Sequence, residues 1–98
     1  MIIPKNVNDQ IVEISQKSPC IKKVVLFGSR AYGDNKERSD IDLAVFAPEI
    51  SQREWAKFIE LIDESLETLL KIDLVLWETA PEKLKEEIKK CHYVLYEK

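Results

Sequence analysis

At 98 residues, with 45% apolar and 34% charged side chains, the chain has the composition of one folded domain with a single core, neither disordered nor fibrous. A net charge of −3 and a sequence pI near 5.2 count against duplex nucleic acid as the main partner, because no basic run could neutralise several phosphates. The longest apolar run is far short of a membrane span and Met1-Ile2-Ile3-Pro4-Lys5 lacks an apolar leader, so a cytoplasmic, single-domain protein over residues 1–98 is expected.

In chain order, Val7, Ile11, Val12 and Ile14 predict an amphipathic helix over about residues 6–17, which Pro19 terminates. Ile21 to Phe27 reads as a buried strand with Val24-Val25-Leu26-Phe27 as its apolar centre. Gly28-Ser29 breaks that strand, with Ser29 as N-cap of a brief helix over Arg30 to Tyr32. Asp34 to Ser39 reads as a polar loop, and Asp40 to Phe46 as a second strand closed by Ala47-Pro48.

Ser51 and Glu54 have the spacing of a capping box, followed by Trp55, Phe58, Ile59, Ile62, Leu66, Leu69 and Leu70 at helical intervals. They predict a helix over Ser51 to Lys71. Ile72 to Trp77 is a third strand. Thr79 and Glu82 form another potential capping box, with Pro81 in the first turn of a helix reaching about Lys90. Tyr93 to Tyr96 closes as a short strand. Strands alternating with helices place the fold in the α/β or α+β class, a small mixed sheet flanked by helices.

The only two glycines, Gly28 and Gly33, lie five positions apart, and Gly28-Ser29 opens a helical turn after a strand, where backbone amides can meet phosphate. Gly33 suits the end of the short helix. Neither the P-loop nor the dinucleotide fingerprint is present, since Asp34-Asn35 follows Gly33. Asp40 and Asp42 are two apart on a predicted strand, so both face one side, and acids are depleted in strands and costly to bury unpaired. A hard divalent cation such as Mg²⁺ would resolve their repulsion. Asp73, at the start of the next strand, completes a set of three carboxylates if the two strands are neighbours; such a set can hold one or two Mg²⁺ ions.

Plainer readings stand beside this one. Asp40 could solubilise a strand edge, and Asp42 could pair with Arg38 or Lys36. Arg30 and Arg38 could contact phosphate or merely be solvated. The lone His92 suits a structural role, Trp55 to Leu70 core packing, and Lys83, Lys85, Lys89 and Lys90 a wet helix face. Cys20 and Cys91 lack CxxC spacing; one disulfide is arithmetically possible, but reduced, semi-buried thiols are expected.

Gly28-Ser29, ten intervening residues, then Asp40-x-Asp42 resembles the signature of the DNA polymerase beta-like nucleotidyltransferase superfamily. The string Gly28-Ser29-Arg30-Ala31-x-Gly33 … Ser39-Asp40-Ile41-Asp42-Leu43-Ala44-Val45 resembles its minimal prokaryotic branch, the MNT antitoxins that partner HEPN toxins. The likeness extends through Asp73-Leu74-Val75 to Val94-Leu95-Tyr96-Glu97. Relatives often carry a glycine shortly before that close, where this chain reads Cys91-His92-Tyr93; a left-handed His92 would preserve the turn.

The resemblance implies transfer of a nucleoside monophosphate, with ATP as donor and Mg²⁺ as cofactor. Gly28 and Ser29 would grip the triphosphate, with Arg30 and Arg38 as further phosphate contacts. Asp40, Asp42 and Asp73 would be both catalytic and metal-binding. Larger members carry a second domain for the acceptor, for which this chain has no room, so the acceptor is expected to be a hydroxyl of a helical HEPN-type toxin in a hetero-oligomer. A non-catalytic antitoxin acting by occlusion, and an antibiotic-modifying nucleotidyltransferase, are the competing readings.

Overall fold

The computed structural model describes residues 3–33, 36, 38–66 and 68–98. Its elements are α1 (Lys5–Gln16), β1 (Lys23–Phe27), α2 (Ser29–Tyr32), β2 (Ile41–Phe46), α3 (Gln52–Ser65), β3 (Ile72–Leu76), a 3₁₀ turn over Trp77–Thr79, α4 (Glu82–Lys90) and β4 (Tyr93–Glu97). The four strands form one mixed sheet in the order β3-β2-β1-β4. β1 runs antiparallel to β2 and to β4, whereas β2 and β3 are parallel and joined through α3. A parallel pair needs such a crossover, and the long α3 supplies it.

Strand alternation sorts the side chains onto two unequal faces. Val24, Leu26, Ile41, Leu43 and Val45 point to one side and pack with Val7 and Ile11 of α1 and Phe58 and Ile62 of α3. Val25, Phe27 and Ala44 point to the other, where Ile88 of α4 is their buried partner. Each fully buried aliphatic or aromatic side chain contributes roughly 1.5–3 kcal/mol, so most of the hydrophobic stabilisation lies on the α1/α3 side.

Several boundaries differ from the sequence-based expectation for local reasons. The capping box at Ser51 and Glu54 forms with both reciprocal hydrogen bonds. The helix it starts ends at Ser65 rather than Lys71, because Leu66 turns extended (φ −77°, ψ 125°) and the Thr68 hydroxyl accepts from the Leu70 N–H. In the non-helical stretch that follows, Leu70 packs on the core while Leu69 is wholly exposed. Thr79 forms no capping box. Its hydroxyl donates to the Leu76 carbonyl, and Pro81 caps α4 without a side-chain bond.

Gly28, not Ser29, caps α2, since the Gly28 carbonyl already accepts from Ala31 and Tyr32. Gly33 ends that helix in the left-handed region (φ +86°). Of the predicted loop over 34–39, Asp34, Asn35 and Glu37 lie outside the described residues. His92 is not left-handed; its Nδ1 lies 2.8 Å from the Ile88 carbonyl, so Nδ1 carries the proton and caps α4 in place of a glycine. Both cysteines are free thiols. Among the described residues no helix is long and apolar enough to cross a membrane.

Candidate active site

The register of β2 and β3 creates the site. Leu43 pairs with Leu74 on the core side, so the preceding pair, Asp42 and Asp73, must stand side by side on the opposite face. A slip of β3 by one residue would send Asp73 into the core and Leu74 out. Asp42 is also the partner of Phe27 across the antiparallel pair, which brings its carboxylate under the turn that follows β1.

That turn requires glycine. Gly28 has φ +75° and ψ −156°, a combination essentially closed to other residues. A Cβ there would collide with Oδ2 of Asp42 and stand 3.2 Å from its Cγ. The Gly28 backbone and the Asp42 carboxylate are therefore packed against each other.

Asp42 is half-buried, and its pKa is raised above the ordinary carboxylate value. Loss of solvent is the main cause, followed by the charges of Asp73 and Asp40; Lys71 opposes them. Asp73 is more open, its side chain 41% exposed, and its Oδ1 lies 3.5 Å from the Lys71 ammonium. Asp40 is exposed and stands one residue ahead of β2, whose first ladder bond runs from the Ile41 N–H to the Lys71 carbonyl. Its charge reaches Asp42 and helps to raise the carboxyl pKa there.

Hard carboxylate oxygens suit Mg²⁺, and the Asp42–Asp73 pair has the unbalanced charge that a divalent cation would relieve. Among the described residues, however, no three His, Cys, Asp or Glu side chains converge closely enough to share an ion. The donor chemistry fits the metal, with Asp42 and Asp73 paired by the strand register and the Asp40 charge acting on Asp42.

Ser29 opens α2 beside Gly28. Arg30 is only 5% exposed, and its Nε donates to the Ser39 carbonyl, tying α2 to the residue before Asp40. Arg38 is exposed. Two contacts escaped the sequence reading. Cys91 donates from Sγ to the Ala31 carbonyl across sixty residues of chain, bracing the glycine turn from the end of α4. Lys71 lies beside Asp73, and a basic residue two positions before a strand acid was the available signal for it.

Residues 9–98 match the family described as Polymerase beta, Nucleotidyltransferase, and the chain belongs to that family. A Methanocaldococcus jannaschii protein, provisionally named a protein adenylyltransferase, is 42% identical over 57 residues. That match covers 56% of this chain and 56% of the relative, so it spans about half the relative's length. Among solved structures, a chain of a toxin–antitoxin crystal structure with AMP-PNP superposes with a TM-score of 0.74 at 22% identity, covering 93% of this chain and 73% of that one. A chain from the complex of tri-AMPylated Shewanella oneidensis HEPN toxin with MNT antitoxin gives 0.68 at 20% identity, covering 94% and 71%. A Sulfolobus solfataricus protein provisionally named a nucleotidyltransferase gives 0.62 at 21%, covering 96% and 79%. At these identities the structural likeness is one of fold.

Proposed function

We propose that the protein is a Mg²⁺-dependent nucleotidyltransferase that moves AMP from ATP to a hydroxyl of a HEPN-type ribonuclease toxin, and so acts as its antitoxin in the cytoplasm. The observation that carries this reading is the Asp42–Asp73 pair, held in register by β2 and β3 with the Asp42 carboxylate against the Gly28 turn. Family membership supports nucleotide transfer. The name of the Methanocaldococcus relative and the MNT–HEPN complexes among the structural neighbours support a protein acceptor.

In this reading Gly28 and Ser29 hold the triphosphate tail against α2. Asp42 and Asp73, joined by Asp40, are the residues that would bind the metal. When bound, it would screen the charge developing on the phosphoryl oxygens. The acceptor oxygen bonds to the α-phosphorus as the bond to the pyrophosphate oxygen breaks, and Asp73 orients or takes the hydroxyl proton. Arg30, tied to the Ser39 carbonyl, holds the two halves of the site in relation. Arg38 is free in solvent to approach phosphate. Positioning and charge then supply most of the rate enhancement.

Incubation with labelled ATP, Mg²⁺ and a helical HEPN-type toxin is expected to label the toxin, and Asp42→Ala to abolish the transfer. Absence of label with the wild type, or equal labelling by Asp42→Ala, would refute the enzymatic reading. One observation favours a second reading, neutralisation by occlusion: Asp40 remains in solvent, and no three-carboxylate group is assembled among the described residues. Occlusion predicts that Asp40→Ala and Asp42→Ala still protect cells from the toxin.

A further inference from the structure

Lys71 has no part in the scheme above, yet it is the cation seated at the acid pair. Its ammonium stands 3.5 Å from Asp73 Oδ1, and its backbone carbonyl anchors the first rung between β2 and β3. The side chain is 70% exposed. An exposed ion pair of this kind is weak, because solvent screens it and a long side chain must be ordered to make it.

Two carboxylates directly opposite on adjacent strands repel each other. Accepting Asp42 and Asp73 as metal ligands, as the proposed function does, we infer that Lys71 is a resident counter-ion: it neutralises part of the Asp73 charge in the empty site, a divalent cation must displace it, and the released ammonium then turns to the nucleotide phosphates. The weakness of the pair is what suits it to this task. A deeply buried pair would hold the carboxylate against the metal, and no pair at all would leave the acids to capture stray divalent ions without nucleotide.

The inference makes two predictions of opposite sign. Lys71→Gln should bind a divalent cation more tightly in the absence of nucleotide and bind the nucleotide less tightly in its presence. A lysine serving only solubility or folding would move neither, or would weaken both.

The test uses Mn²⁺ as the probe, titrated into the purified protein at low salt without nucleotide and followed by the electron paramagnetic resonance signal of the free ion. Lys71→Gln should tighten Mn²⁺ binding about three- to fivefold, the scale set by an exposed ion pair, and the difference should shrink as salt is raised. Lys71→Arg should keep wild-type affinity. Lys17→Gln, which removes one charge at the C-terminal end of α1, where Lys17 pairs with Glu13, should also leave it unchanged. Fluorescently labelled ATP, titrated with Mn²⁺ present, should bind Lys71→Gln several-fold more weakly.

If the wild type binds Mn²⁺ saturably, Asp42→Asn loses that binding, and Lys71→Gln binds no more tightly than the wild type, the counter-ion inference fails while the metal-site reading stands. If none of these proteins binds Mn²⁺ saturably, both fail.

Discussion

Asp42 is the residue on which the site and the fold make opposing demands. Its carboxylate sits against the Gly28 backbone, with Asp73 beside it and Asp40 near enough to be felt. Its folded-state pKa is raised, so the native state holds the proton more tightly than the unfolded chain does. The sign follows: ionised Asp42 costs stability above its raised pKa, and the cost vanishes below the ordinary value of 3.8, where both states are protonated. Asp42→Asn is therefore expected to raise stability at pH 7 by about 0.5 kcal/mol, a small figure because a half-exposed carboxylate is screened by solvent. In a domain of this size that corresponds to a melting temperature higher by about 2–4 °C. The gain should disappear near pH 3. Calorimetry of the two proteins at both values is the check, and a lower melting temperature for the variant at pH 7 would show that the charge is not strained.

At the scale of elements, the end of α3 separates what sequence periodicity can determine from what it cannot. Leu66, Leu69 and Leu70 all fit the helical stripe begun by Trp55, yet the helix stops at Ser65 and Leu69 is left 107% exposed. Leu69→Ser should accordingly change stability by less than about 0.5 kcal/mol, whereas a Leu69 buried in a helix reaching Lys71 would cost roughly 2 kcal/mol or more to truncate. Urea titration distinguishes the two. The same element shows why the rest was legible. The Gly33 end of α2 and the Ser51 cap are local chemistry, and each strand declared itself by an apolar run. Asp42 and Asp73 were readable as a pair because alternation fixes their face once Leu43 and Leu74 go inward. What could not be read depends on tertiary contact: the burial of Arg30 against Ser39, the Cys91–Ala31 bond, and the exposure of Asp40 just outside the β2 ladder.

Across the whole molecule, the sheet is thickly covered on one face and thinly on the other, and the candidate site lies on the thin face. α1 and α3 bury Val7, Ile11, Phe58 and Ile62 against β1 and β2. On the opposite side Ile88 is the one fully buried residue of α4, supported by partly buried Leu84 and Trp77. Such a layer should open by itself before the rest of the domain unfolds. Native-state hydrogen exchange should therefore give α4 amides a lower opening free energy than those of β1, β2 and α3. Ile88→Ala should lower α4 protection by about 2–5 kcal/mol, the usual loss for truncating a buried aliphatic side chain, and lower that of β2 by less. Because Cys91 at the end of α4 holds the Ala31 carbonyl, the amides of Ala31 and Tyr32 should lose protection together with α4. If α4 and β2 exchange at one common free energy in both proteins, the domain opens only as a unit and the two-layer account fails. If they separate as expected, the glycine turn that faces Asp42 belongs to the mobile layer and Asp42 itself to the rigid one, so the two halves of the site can change their spacing without unfolding the core.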